Sequence, residues 1–160
     1  MRNFLLFLAI FSVAFGGGSE QFTGGVKPSG EVILENEYAK SAKIFKESCE
    51  KGHAYNCYNL AEFYAKGLGV IKSDENALKY YQISCDLKLP YGCFKVANIA
   101  LEKGENQKAL RDFTASCELG DDMGCLWLSK FYENSDKQKS SNYTQKACQM
   151  GNDSACASLK

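Results

Sequence analysis

Eight cysteines are the residues of this 160-residue chain best equipped for chemistry. They fall in four pairs: Cys49 and Cys57, Cys85 and Cys93, Cys117 and Cys125, Cys148 and Cys156. Seven residues separate the members of every pair. Thiols in such numbers serve as metal ligands, redox couples or disulfides. Structural zinc takes four ligands with Cys-x(2–4)-Cys spacing, which this chain lacks, and His53 is its one histidine. The Cys-x-x-Cys spacing of redox and haem-attachment motifs is also missing. An even number of cysteines behind an export signal points to disulfides, with no metal and no cofactor expected.

A nucleophile is the second chemistry to weigh. Ser48-Cys-Glu-Lys51 is a Ser-x-x-Lys match, the arrangement in which serine β-lactamases activate their serine. The accompanying Ser-Asp-Asn and Lys-Thr-Gly motifs are missing. The match also straddles a structural cysteine at a helix end, so a chance occurrence is the better reading. His53 lies in the turn between Cys49 and Cys57, where it decorates a helix end. No catalytic residue is assigned.

The cysteines are placed by a repeat. The pairs begin at 49, 85, 117 and 148, steps of 36, 32 and 31, the period of helical hairpins. Before each first cysteine runs an apolar helix face: Ala42, Phe45 and Cys49; Leu78, Tyr81 and Cys85; Leu110, Phe113 and Cys117. The fourth copy, with Ser141 and Thr144, is polar, as suits a helix near an exposed end. After each second cysteine another stripe starts: Leu60, Ala61 and Tyr64; Val96, Ala97 and Ala100; Leu128 and Tyr132. Gly52, Gly120 and Gly151 stand where a helix would end in a left-handed residue. In the second unit that place holds Lys88, and Pro90 is expected to close the turn instead. The pattern predicts an all-α chain with helices near 35–50, 54–66, 74–87, 91–103, 106–118, 122–134 and 138–149, and a stub from Asp153.

Eight cysteines allow on the order of a hundred pairings. With the first cysteine in the last turn of one helix and the second in the first turn of the next, a short reversal brings the two level. One local spacing repeated four times therefore favours Cys49–Cys57, Cys85–Cys93, Cys117–Cys125 and Cys148–Cys156. Each small loop contributes roughly 2–3 kcal/mol by loop entropy.

The N-terminus sets the compartment. Arg2 precedes an apolar run from Phe4 to Phe15 that ends in Gly16, Gly17 and Gly18, the pattern of a secretory signal and too short for a membrane-spanning helix. The expected organisation is a signal peptide over 1–18, a flexible segment over 19–34 and a helical array over 35–160. No membrane span is expected after cleavage, and the location is periplasmic or secreted. Nineteen Lys plus Arg balance nineteen Asp plus Glu, so nucleic acid has no electrostatic support as a partner.

The stretch Asn56-Cys-Tyr-Asn-Leu-Ala-Glu-Phe-Tyr-Ala-Lys-Gly-Leu-Gly-Val70 resembles the first helix and loop of the Sel1-like repeat family. Leu60, Ala61, Tyr64, Gly67, Gly69 and Val70 stand at its signature positions, followed by Asp74, Ala77, Tyr80 and Tyr81. With Cys-x7-Cys in every unit, residues 36–160 resemble the cysteine-rich branch exported by Helicobacter, Campylobacter and their relatives. The resemblance implies a right-handed α/α superhelix, or solenoid, of TPR-like hairpins. It also implies an adaptor for protein partners. That branch is commonly labelled β-lactamase or penicillin-binding, so a cell-wall or β-lactam-like ligand is the alternative to a protein or peptide.

In this architecture the first helix of each hairpin lines the concave surface. Facing away from the packing stripe are Asn59, Glu62 and Phe63, then Lys95, Asn98 and Ile99, then Trp127, Lys130 and Phe131. Large apolar groups among polar ones resemble a recognition surface. Phe63, Ile99 and Phe131 serve equally well as packing against a neighbouring helix, and Tyr58, Phe94 and Leu126 share either role. Trp127 is expected at the most outward slot.

Overall fold

The computed structural model describes residues 29–159, and their side chains from residue 37. Eight helices follow one another: α1 (Ser29–Glu50), α2 (Ala54–Lys66), α3 (Asp74–Asp86), α4 (Pro90–Glu102), α5 (Asn106–Glu118), α6 (Asp122–Tyr132), α7 (Lys137–Gln149) and α8 (Asp153–Ser158). No strand occurs among the described residues. Each helix packs on its sequence neighbours, which builds a right-handed α/α solenoid. Helix α1 starts ahead of the expected position 35. The expected flexible segment contains Glu31 and Leu34, both good helix formers, and Gly30 costs little in a first turn. The expected signal peptide lies outside the described residues.

Four helix-to-helix turns share one hydrogen-bond pattern. In each, the residue three beyond the first cysteine donates to that cysteine's carbonyl, and the next residue donates to the carbonyl just before the cysteine. Gly52 and His53, Lys88 and Leu89, Gly120 and Asp121, and Gly151 and Asn152 do this in turn. The geometry needs a left-handed residue, and Gly52, Gly120 and Gly151 supply it with φ of 89°, 102° and 93°. Lys88 takes the same conformation, φ 69°, without being glycine. Pro90 does not replace the glycine, contrary to the sequence expectation. It opens α4, where its missing N–H is unneeded.

These turns set the cysteines level. Disulfides join Cys49–Cys57, Cys85–Cys93, Cys117–Cys125 and Cys148–Cys156, with Cα separations of 4.7, 4.5, 4.6 and 4.6 Å. Such proximity crowds the residues beside the cysteines. A Cβ on Gly92 would lie 2.7 Å from Ser84 Oγ and 2.8 Å from the Cys85 nitrogen, and one on Gly124 would lie 2.8 Å from Ser116 Oγ and 2.9 Å from the Cys117 nitrogen. Only glycine fits there. Ser116 Oγ instead donates to Asp121 Oδ2 at 2.6 Å, and the other oxygen of Asp121 caps α6 by accepting from the Met123 nitrogen.

The core follows from the same closeness. Its buried members are small residues and cysteines around a few large ones: Leu60, Val96, Leu128, Tyr81 and Phe113 are 3% exposed or less. Ala61 and Ala97 occupy one slot of successive repeats, and Ala77 and Ala109 another; all four are buried. Alanine at these slots lets helix axes approach.

Candidate functional site

A groove of about 730 Å³ lies between α2, α3 and α4. Its walls are Leu78 of α3 and Ile99 of α4, with Ala77 and Tyr81 at its base and Lys95 and Asn98 at one end. The volume falls in the ~300–1,000 Å³ range of ligand sites. Helix α3 is held in place by its cap, Ser73 Oγ accepting from the Asn76 nitrogen at 3.1 Å. Helix α4 is held by the Cys85–Cys93 disulfide.

An ionic cluster braces the groove from behind. Glu62 of α2 accepts from Lys66 at 2.7 Å and from Lys95 of α4 at 2.8 Å. The hydroxyl of buried Tyr81 on α3 also donates to it. Lys95 Nζ lies over the Tyr81 ring at 5.6 Å and the Tyr58 ring at 6.0 Å. Three helices thus meet at one carboxylate. Burial pushes Glu62 up, but hydrogen bonds from Lys66, Lys95 and Tyr81 outweigh this and hold it at about 2. Burial lowers the Lys95 ammonium, and the Glu62 contact outweighs that and raises it. Tyr81 is raised by burial and by the carboxylate it faces. Near neutral pH the cluster sets two ammonium groups around one carboxylate.

Of the residues singled out by sequence, Glu62, Lys95, Asn98 and Ile99 come together at this groove. Asn98 donates its amide N–H to the Phe94 carbonyl at 2.9 Å, leaving its Oδ1 for a ligand. Asn59 is half-buried on α2. Phe63 packs edge-on against Tyr38 and Phe45 of α1, at 5.9 and 5.2 Å between ring centroids. Lys130 lines a separate shallow groove with Ser129, Ser140 and Thr144. Phe131 is 47% exposed.

Trp127 departs from the expectation of an outward slot. Its ring stacks on buried Phe113 of α5, with centroids 3.9 Å apart and planes 16° apart, and Phe131 stacks on its other side at 5.3 Å. An inner solenoid helix buries two flanks, one against each neighbour. A single-stripe reading leaves the second flank open, which is why Trp127 looked free. Sequence reading also missed Tyr81 and Lys66 as partners of Glu62. The available signals were a tyrosine four residues before Cys85 and a lysine four residues after Glu62 on the same helix.

The Ser-x-x-Lys match has no catalytic geometry. Ser48 Oγ accepts from Asn56 Nδ2 across the first disulfide turn, and Lys51 is exposed in that turn. His53 is the residue before α2, and its side chain makes no capping hydrogen bond. No group of three or more His, Cys, Asp or Glu side chains is disposed to hold a metal among the described residues, and none of the described helices is long and apolar enough to cross a membrane.

Residues 57–89 and 122–152 match the Sel1 repeat family. Two Sel1 repeats are recognised in this chain. The two matched segments cover the α2–α3 and α6–α7 hairpins, and α4–α5 repeats their disulfide, turn and core slots. Among curated proteins, it is 27% identical over 75 residues to the cytochrome c oxidase assembly factor 7 homolog of Drosophila melanogaster. That match covers 46% of this chain and 28% of the relative. A Sel1 repeat protein from Oxalobacter formigenes superposes with a TM-score of 0.68 at 20% identity, over 79% of this chain and 58% of that one. A protective antigen of uropathogenic Escherichia coli with an SLR fold gives 0.63 at 22%, over 76% of this chain and 28% of that one. Helicobacter pylori cysteine rich protein B gives 0.58 at 22%, over 78% of this chain and 96% of that one. This chain shares their fold. Repeats of this kind commonly mediate protein–protein interaction.

Proposed function

We propose that this protein is an exported adaptor that holds a protein or peptide partner on the concave face of its solenoid. The observation that carries the reading is the groove between α2, α3 and α4. It has apolar walls at Leu78 and Ile99, a polar end at Lys95 and Asn98, and a brace at Glu62 that fixes the three helices before any ligand arrives. A preformed site of this kind spends little ordering entropy on binding. Four disulfides suit an oxidising compartment, and the apolar run Phe4 to Phe15 supplies the means of reaching it. A periplasmic or secreted location follows from those two features together.

The test is capture from a periplasmic extract with the oxidised protein as bait, beside the variant Asn98→Arg. The longer side chain fills the polar end of the groove from a half-buried position on α4. A partner retained by the wild type and lost with Asn98→Arg, at unchanged melting temperature, supports the reading. Equal capture by both baits excludes the groove.

A further inference from the structure

We propose that the groove between α2, α3 and α4 takes a cationic peptide segment, with one apolar side chain seated between Leu78 and Ile99 and flanking Lys or Arg residues at the mouth. This rests on the adaptor reading above and names the chemistry of its partner. At the inner end of the groove the lining cation is already paired. Lys95 is bound to Glu62, which also takes Lys66 and the Tyr81 hydroxyl. The one positive charge in excess sits on exposed Lys66, which does not line the groove.

The mouth is different. Asp74 and Glu75 open α3, Glu102 closes α4, and all three line the groove together with Lys103. All four are exposed, and none makes an ion pair among the described residues. Three carboxylates face one ammonium, so the mouth attracts cations. Between this rim and the cluster lies an apolar trough of Leu78, Ile99 and Ala77, which suits a side chain of leucine or isoleucine size. Asn98 donates one amide N–H to its own helix and presents Oδ1 as an acceptor, fitted to a peptide N–H. Charge selects, the trough anchors and the asparagine orients. Screening makes the charge contribution depend on salt.

The experiment titrates the oxidised full chain with three blocked synthetic peptides. Their central residues are Lys-Leu-Lys, Glu-Leu-Glu and Lys-Ser-Lys, flanked by glycine. Calorimetry gives affinity and methyl NMR gives location. The Lys-Leu-Lys peptide should bind at least tenfold more tightly than either other peptide, weaken as salt is raised, and shift the methyl signals of Leu78 and Ile99. The double variant E75Q/E102Q should erase most of its advantage over Glu-Leu-Glu. Tighter or equal binding of Glu-Leu-Glu overturns the cationic preference. Methyl shifts elsewhere, or no binding by any of the three, overturn the inference. In each case the adaptor reading stands or falls separately on Asn98→Arg capture.

Discussion

Lys95 and Trp127 occupy the same slot of successive repeats, two residues after the second cysteine, and each lies over the ring four residues before the preceding first cysteine. Lys95 covers Tyr81 with its ammonium, and Trp127 covers Phe113 with its indole. One position is solved ionically between α3 and α4 and by stacking between α5 and α6. The slot belongs to the packing of the array, whichever chemistry fills it.

Trp127→Ala therefore removes a packed ring from between Phe113 and Phe131. The variant should lose about 3 kcal/mol of stability, near the lower end for large aromatic truncations because Trp127 is only half-buried. Trp127→Phe should retain most of the stack. Denaturant melts of the two variants beside the wild type decide the matter, and an unchanged midpoint for Trp127→Ala would remove Trp127 from the core.

Glu62 makes stability depend on pH in a definite direction. Its folded-state pKa of about 2 lies below its ordinary value of 4.5. The contribution is thus present above pH 4.5 and is lost as pH falls toward 2. Glu62→Gln should cost on the order of 2 kcal/mol at neutral pH, allowing for partial solvent screening, and almost nothing near pH 2. Unfolding curves for both proteins at the two pH values should therefore diverge at neutral pH and converge in acid.

The scaffold is easier to read from sequence than the site. Cys-x7-Cys repeated four times, with Gly52, Gly120 and Gly151 at one offset, specifies the turns and hence which cysteines meet. That signal is local, spanning a dozen residues. The packing of Trp127 depends on Phe113, which lies on another helix, and on how far α5 and α6 rotate. The Glu62 cluster depends on three helices converging. Composition marks Glu62 and Lys95 as polar residues off the main stripe, but only the solenoid's repeat-to-repeat stacking makes them partners. Lys88 was misjudged for a different reason. A proline two residues on looked like a substitute for glycine, although the left-handed conformation is imposed by the turn's hydrogen bonds.

Lys88 carries the cost of that conformation. A non-glycine residue in the left-handed region costs about 1–2 kcal/mol, and part of the gain from glycine is offset by the entropy of a freer unfolded chain. Lys88→Gly should thus stabilise the protein by roughly 0.5–1 kcal/mol. Gly120→Lys, at the equivalent turn with φ 102°, should destabilise it. A higher melting temperature for the first variant and a lower one for the second is the expected pair of results.

Gly92 and Gly124 test how closely the disulfide-linked helices must approach. At Gly124 an added methyl would stand 2.8 Å from Ser116 Oγ and 2.9 Å from the Cys117 nitrogen. The hydroxyl is already held by Asp121 and the backbone nitrogen belongs to α5, so neither can yield without loss. Gly124→Ala should cost about 2–3 kcal/mol through overpacking, despite alanine's better helix propensity. The first unit accommodates Asn56 opposite Ser48, and the last pairs Ala155 with Ala147, so the demand for glycine is specific to the two middle turns. Ala155→Gly should accordingly bring no packing gain and lose both helix propensity, about 1 kcal/mol, and the contacts of a buried methyl. The measurement is a denaturant melt of each oxidised variant with thiol titration to show that all four disulfides have closed. A neutral Gly124→Ala with every disulfide intact would mean that the helices separate freely at this turn, and the close approach would not be what holds the repeat in register.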